Sequence, residues 1–171
     1  MPQFCLGDMW TAYDTADLFL ITTNSTLRRD GTLVMGRGMA RQARDRFPGL
    51  DAALGGQIRQ VCGSGGQYGL LISPRWQPGA APHKLGCFQV KRHWQRPADL
   101  TLIGHSVTAL TWWARLHSDC HIHLNFPGIG NGGLARTAVL PLLTALPDNV
   151  TIWEYAAHAL AGQADLRSGQ G

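Results

Sequence analysis

The sequence predicts an α/β fold, a three-layer α/β/α sandwich around a mixed central sheet. Three observations lead there. Short apolar runs of strand length alternate along the chain with segments whose apolar residues recur at helical spacing. No Pro-, Gly- or Ser-rich linker divides the chain, and no internal repeat occurs. The length of 171 residues suits one domain with a core of its own.

FCLGDM (4–9) is a short strand candidate, and LFLITTN (18–24) reads as a buried strand. Met39, Ala43 and Phe47 fall at i, i+4 and i+8 on one helical face, and Pro48-Gly49 stops that run. LDAALGGQIRQV (50–61) holds a short helix broken by its glycines, and YGLLIS (68–73) and LGCFQV (85–90) are strands. Ile103, Val107, Leu110 and Ala114 keep helical spacing from Leu100 to His117, after a starting Pro97. HIHLNF (121–126) is a strand, Leu134 to Leu146 a helix with Pro141 near its first turns, and VTIWEY (150–155) the closing strand. Residues 1–160 are expected to form the domain and 161–171, small and polar, a flexible tail.

Hydrophobic residues at 44% and charged residues at 15% exclude a disordered chain. The opening MPQFCLGDMW lacks a basic segment followed by an apolar run, so no signal peptide is expected. No apolar stretch approaches the roughly 18–20 residues that span a bilayer, and a cytoplasmic protein without membrane contact is expected. Cys5, Cys62, Cys87 and Cys120 form no CxxC pair and read as reduced, buried residues. Cys120, His121 and His123 have no second ligand cluster at suitable spacing, so no metal site is expected. Trp112 and Trp113 read as core packing. The net charge of +4 favours polyanionic partners. Of 15 basic residues only Lys84 and Lys91 are lysines, and lysine, unlike arginine, can lose its proton and act as a nucleophile.

Two glycine-rich stretches, MGRGMARQA (35–43) and FPGIGNGGL (126–134), each lie just before a helix. A flexible loop there gathers free N–H groups at the positive end of a helix dipole, an anion site best suited to phosphate. Neither ends in GK[ST], so neither is a P-loop, and GRGMAR lacks the third glycine of the dinucleotide fingerprint. Tight strand-to-helix turns would use such glycines too. Two such loops at strand ends of one sheet favour a pyrophosphate ligand.

In order and character, GDM (7–9), ADLFLITTN (16–24), VMGRGMARQARDRFPG (34–49), FQVKRHW (88–94), FPGIGNGGL and VTIWEY resemble the macrodomains, the fold that binds ADP-ribose. The resemblance falls with a hydrolase branch that contains terminal ADP-ribose glycohydrolases and DarTG-type antitoxins. It implies a hydrolase that removes mono-ADP-ribose from protein or DNA without a cofactor, nucleic acid entering as a modified substrate. On this resemblance Asp8 accepts a hydrogen bond from the adenine amino group, with Met9 against the ring, and Asn24 lies near the distal ribose. Met35, Gly36, Gly38 and Met39 form the first phosphate-side loop. Ile129, Gly130, Asn131, Gly132 and Gly133 form the second.

Lys91 matches the branch's catalytic lysine, which attacks the anomeric carbon of the distal ribose. At an ordinary pKa near 10.4, well under 0.1% of such an amine is neutral at pH 7. Desolvation, with Arg92 alongside, is expected to lower that value. The pattern departs in one place. The relatives continue the second loop as NGGLDW, with an Asp that helps resolve the lysine adduct, whereas NGGLAR puts Ala135 there and Arg136 next. His93 and Asp30 are the candidate substitutes. NSTLRRDGTLV lengthens the first loop, bringing Arg28, Arg29 and Asp30 near its mouth as a solvated hairpin or a specificity element. Two further readings stand beside the hydrolase: a non-catalytic ADP-ribose reader, favoured by Ala135, and a basic nucleic-acid-binding module, favoured by net charge.

Overall fold

The run LFLITT is apolar at every one of its first four positions, which suits a strand covered on both faces. In the computed structural model, which describes residues 1–155, it is β2 (Leu18–Thr23) at the centre of the sheet. The other strands are β1 (Gln3–Leu6), β3 (Leu70–Leu71), β4 (Leu85–Gln89), β5 (Ile122–Asn125) and β6 (Val150–Glu154). Their order is β1-β6-β5-β2-β4-β3, parallel except for the edge pair β3–β4. Alternation along β2 splits the core in two. Leu18 and Leu20 pack with Ile103, Val107, Leu110, Val139 and Ile152 on one face. Phe19 and Ile21 pack with Met39, Ala43, Leu54 and Ile58 on the other. The helices are α1 (Gly38–Arg46), α2 (Leu50–Val61), α3 (Leu100–Leu116) and α4 (Arg136–Leu143). The sheet is thus mixed and the architecture the expected α/β/α sandwich. The tail expected over 161–171 lies outside the described residues, as do 156–160 of the expected domain.

Several elements differ from expectation, each for a local reason. The strand expected at 4–9 ends at Leu6, because Asp8 caps a 3-10 turn over Met9–Thr15 by accepting from the Trp10 N–H at 3.0 Å. The strand expected at 68–73 keeps only Leu70–Leu71. Its neighbours are drawn away, since the Tyr68 and Gly69 N–H groups donate to the Gln89 side chain instead of a ladder. α2 is not broken by its glycines. A Cβ on Gly55 would sit 2.0 Å from the Gly31 carbonyl oxygen, so the glycine lets an unbroken helix pack against the first loop's backbone. α4 begins at Arg136, not Leu134, because Gly133 (φ 72°) closes a 3-10 turn over Gly130–Gly132 first. Trp112 is 68% exposed, and only Trp113 packs as expected, stacked on His117 at 3.9 Å with Trp76 edge-on at 4.8 Å. The four cysteines are free, with Cys5 and Cys62 half-buried. Lys84 is 2% exposed, its amine over the Tyr13 ring and donating to the Tyr13 carbonyl. No helix among the described residues is long and apolar enough to cross a membrane.

Candidate functional site

Parallel strands deliver their C-terminal ends to one edge of a sheet, and the chain must leave each through a loop there. In this sheet the loops enclose a cavity of about 890 Å³. Thr22, Thr23 and Asn24 reach it from β2, Val90 and Lys91 from the end of β4, and Asn125 from β5. Trp153, Glu154 and Tyr155 close one side. The first glycine loop is pinned by Asn24, whose Nδ2 donates to the Val34 carbonyl at 2.9 Å while its Oδ1 accepts from Thr26 N–H at 2.8 Å. Asn24 therefore lines the cavity as a clip, with both polar ends committed to the loop. The second loop is held by the Ala98 N–H, which donates to the Gly132 carbonyl at 2.8 Å. The two loops converge. A Cβ on Gly38 (φ 59°) would lie 3.5 Å from the Asn131 Nδ2.

The glycines serve different ends. A Cβ on Gly132 would stand 3.1 Å from the Ala98 Cβ, so this glycine permits close packing beneath the loop. A Cβ on Gly36 would meet no atom of the described residues within 4 Å, and Gly36 lines the cavity. Its lack of a side chain leaves space there for something else. Asn24, Gly36, Gly38, Met39, Lys91, Ile129, Asn131, Gly132 and Gly133 are all brought to the cavity wall. Asp8, Met9, Met35 and Gly130 are not. Asp8 is exposed just beyond β1, where the Gly7 N–H donates to the Glu154 carbonyl beside the cavity. Met9 and Met35, each 1% exposed, belong to the core. Gly130 starts the 3-10 turn.

Lys91 follows β4 and points its amine at the Arg96 carbonyl, 3.1 Å away. Burial holds the amine below the ordinary lysine range, and the Arg37 guanidinium adds to this. Arg92 does not play the part expected of it. It turns outward to donate to Gln67 Oε1 at 2.8 Å. Arg37, Arg28 and Arg96 line the cavity, exposed and without an ion pair among the described residues, and Trp94 stands 44% exposed beside them. This basic rim is what sequence reading largely missed, apart from the placement of Arg28 near the loop mouth.

Carboxylates are scarce. Among the acids of the described residues only Glu154 lines the cavity, and the Arg136 Nε donates to both its oxygens at 3.1 Å. It sits on β6, three strand spacings or about 14 Å from the β4 position that leads to Lys91. Neither candidate substitute reaches the cavity wall. Asp30 is turned into its own hairpin by accepting from Thr32, and His93 Nδ1 accepts from the Gln95 N–H. Ala135 is the N-cap of α4, with extended backbone (φ −70°, ψ 137°) and no side-chain cap. Ala135→Asp is expected to supply that cap and raise stability by about 1 kcal/mol, read from denaturant midpoints at constant slope.

No family model and no curated protein sequence matches the chain. Solved structures do. The macrodomain of Mycobacterium tuberculosis DarG superposes with a TM-score of 0.63 at 25% identity, over 90% of this chain and 97% of that one. The macrodomain of Thermus aquaticus DarG gives 0.62 at 25% identity, over 91% and 97%. Thermosipho africanus DarTG in complex with ADP-ribose gives 0.65 at 22% identity, over 88% of this chain and 41% of that one. The fold is that of a macrodomain.

Within this fold one wall of the cavity depends on a titrating group. The Trp153 Nε1 donates to His123 Nδ1 at 2.9 Å, which requires that nitrogen to be unprotonated. Burial, then the charge of His121, lowers the His123 pKa from 6.5, against a smaller raising effect of Asp17. A depressed value means that the unfolded chain binds the proton more readily. The stabilisation is complete above about pH 6.5 and is lost as pH falls towards the lower folded value. Melting temperatures measured from pH 7.5 to 5 are expected to fall less steeply in His123→Gln, which keeps an acceptor for Trp153 and removes the titration.

Proposed function

We propose that the protein is an ADP-ribosyl hydrolase that removes mono-ADP-ribose from a modified macromolecule, with Lys91 as the attacking group. The observation that carries this reading is the Lys91 amine, its proton disfavoured, in the same cavity as two glycine loops that meet across it. The loops offer helix-terminal N–H groups to a diphosphate, and Asp8, beside the aromatic end of the cavity, accepts from the adenine amino group. The neutral amine bonds to the anomeric carbon as the bond to the acceptor breaks, the acceptor leaving with a proton. Ring opening gives a protonated imine. Water then adds to release ADP-ribose and return the amine. Glu154, about 14 Å away across the sheet, is the one described acid that lines the cavity, so resolution of the imine is the slow step, and the adduct accumulates. Ala135→Asp is expected to shorten its lifetime.

The acceptor side of the cavity bears on substrate class. Three exposed guanidiniums without an ion pair among the described residues and a half-exposed tryptophan suit an acceptor that carries phosphates and a planar ring, hence a nucleic acid. A panel of ADP-ribosylated oligonucleotides and peptides tests this. Combined Arg28→Ala and Arg96→Ala is expected to cut kcat/KM on oligonucleotides by about tenfold, with a shallower salt dependence and unchanged affinity for free ADP-ribose. Equal loss on peptides would remove the nucleic-acid preference. Tight binding of ADP-ribose without release from any substrate would instead make the protein a reader.

A further inference from the structure

We propose that Gln89, which does not line the cavity, is a positioning residue that fixes the backbone of Lys91. It rests on the hydrolase reading above. Gln89 closes β4 and is fully buried. Its Oε1 accepts from the Tyr68 N–H at 2.7 Å and the Gly69 N–H at 2.9 Å, and its Nε2 donates to the Gly66 carbonyl at 2.9 Å and the Lys91 carbonyl at 3.3 Å. Its backbone is equally committed, the N–H to the Gly69 carbonyl and the carbonyl to the Ser106 hydroxyl at 2.7 Å. Only a side-chain amide presents acceptors and donors together in this way, and asparagine is one methylene shorter.

The neighbouring peptides are held from several sides. The Val90 N–H donates to the Thr23 carbonyl, and the Val90 carbonyl accepts from the Asp99 N–H. The Arg92 carbonyl accepts from the Ser25 N–H and from the hydroxyls of Ser25 and Thr26. Between them the Lys91 carbonyl is held by Gln89. A lysine stem has four rotatable carbons, so its amine is placed well only if the stem's root is fixed. Gln89 supplies that root and leaves both glycine loops untouched, so its removal should separate turnover from binding.

Gln89→Met keeps the size and removes all four side-chain hydrogen bonds. Expected are a kcat lower by between about tenfold and about a hundredfold and an ADP-ribose Kd within about twofold of the wild type. If Gln89→Met does not fold, Gln89→Glu retains both acceptor bonds, loses both donor bonds, and is expected to show the same split of kcat from Kd. A second readout needs no turnover. The chain has two lysines, Lys84 and Lys91, so lysine labelled with carbon-13 gives two side-chain titrations by NMR, assigned with Lys91→Ala. The Lys91 amine is expected to titrate closer to ordinary lysine in Gln89→Met than in the wild type. Unchanged kcat with an unchanged titration would overturn the proposal, as would a parallel fall of kcat and binding with the titration unmoved. Absence of turnover in the wild type would overturn the hydrolase reading alone, and the amine titration would still decide the role of Gln89.

Discussion

Lys91→Ala is expected to bind free ADP-ribose about as well as the wild type and to release it from a modified substrate at least about 10³-fold more slowly. The Lys91 side chain donates one hydrogen bond, to an exposed carbonyl, so its loss should not unfold the chain. The glycine loops proposed to meet the diphosphate do not depend on it. Lys91→Arg should fail as completely. A guanidinium keeps the charge and nearly the length, yet cannot surrender its proton under ordinary conditions. A purely electrostatic role for Lys91 would spare the arginine variant, so the pair separates nucleophile from cation. Undiminished hydrolysis by Lys91→Ala would leave water, activated within the cleft, as the attacking group.

The second large effect is expected at Gly36. Gly36→Leu should abolish ADP-ribose binding in calorimetry, a loss of at least about a hundredfold or roughly 2.7 kcal/mol, while the melting temperature stays near that of the wild type. No atom of the described residues lies within 4 Å of its missing Cβ, and its backbone is not among those with positive φ. The new side chain therefore has only the cavity to enter. Substitution at Gly132 is a poorer test, because a Cβ there presses on Ala98 and mixes packing with binding. Gly38, at φ 59°, mixes in backbone strain. Normal binding by a folded Gly36→Leu would place the ligand elsewhere.

The sheet was legible because β2, β4 and β6 carry their burial in local sequence, and α3 because its apolar stripe is regular, although its cap is Asp99 and not the expected start at Pro97. The glycine loops were legible for the same reason, since backbone freedom is a property of the residue itself. Other features arise only from tertiary contact. The unbroken α2 follows from the room that Gly55 leaves for Gly31, and the shortened β3 from Gln89 drawing off its hydrogen bonds. Arg92 was the natural neighbour to suspect for Lys91, being next in the chain. At the end of a strand, however, adjacent side chains face opposite ways, and the nearby charge comes from Arg37, at the start of a helix distant in sequence. The distance of Glu154 from Lys91, three strands across the sheet, was equally invisible. His93 is near Lys91 in sequence and Asp30 belongs to the lengthened first loop, and both are turned away in space.

Reductive trapping tests the central claim most directly. Wild-type protein is mixed with an ADP-ribosylated substrate, reduced during turnover, digested and sequenced by mass spectrometry. A stable sugar adduct on Lys91, abundant because its resolution is slow and less abundant in Ala135→Asp, is the expected result. Full turnover with no adduct on Lys91 would contradict the account.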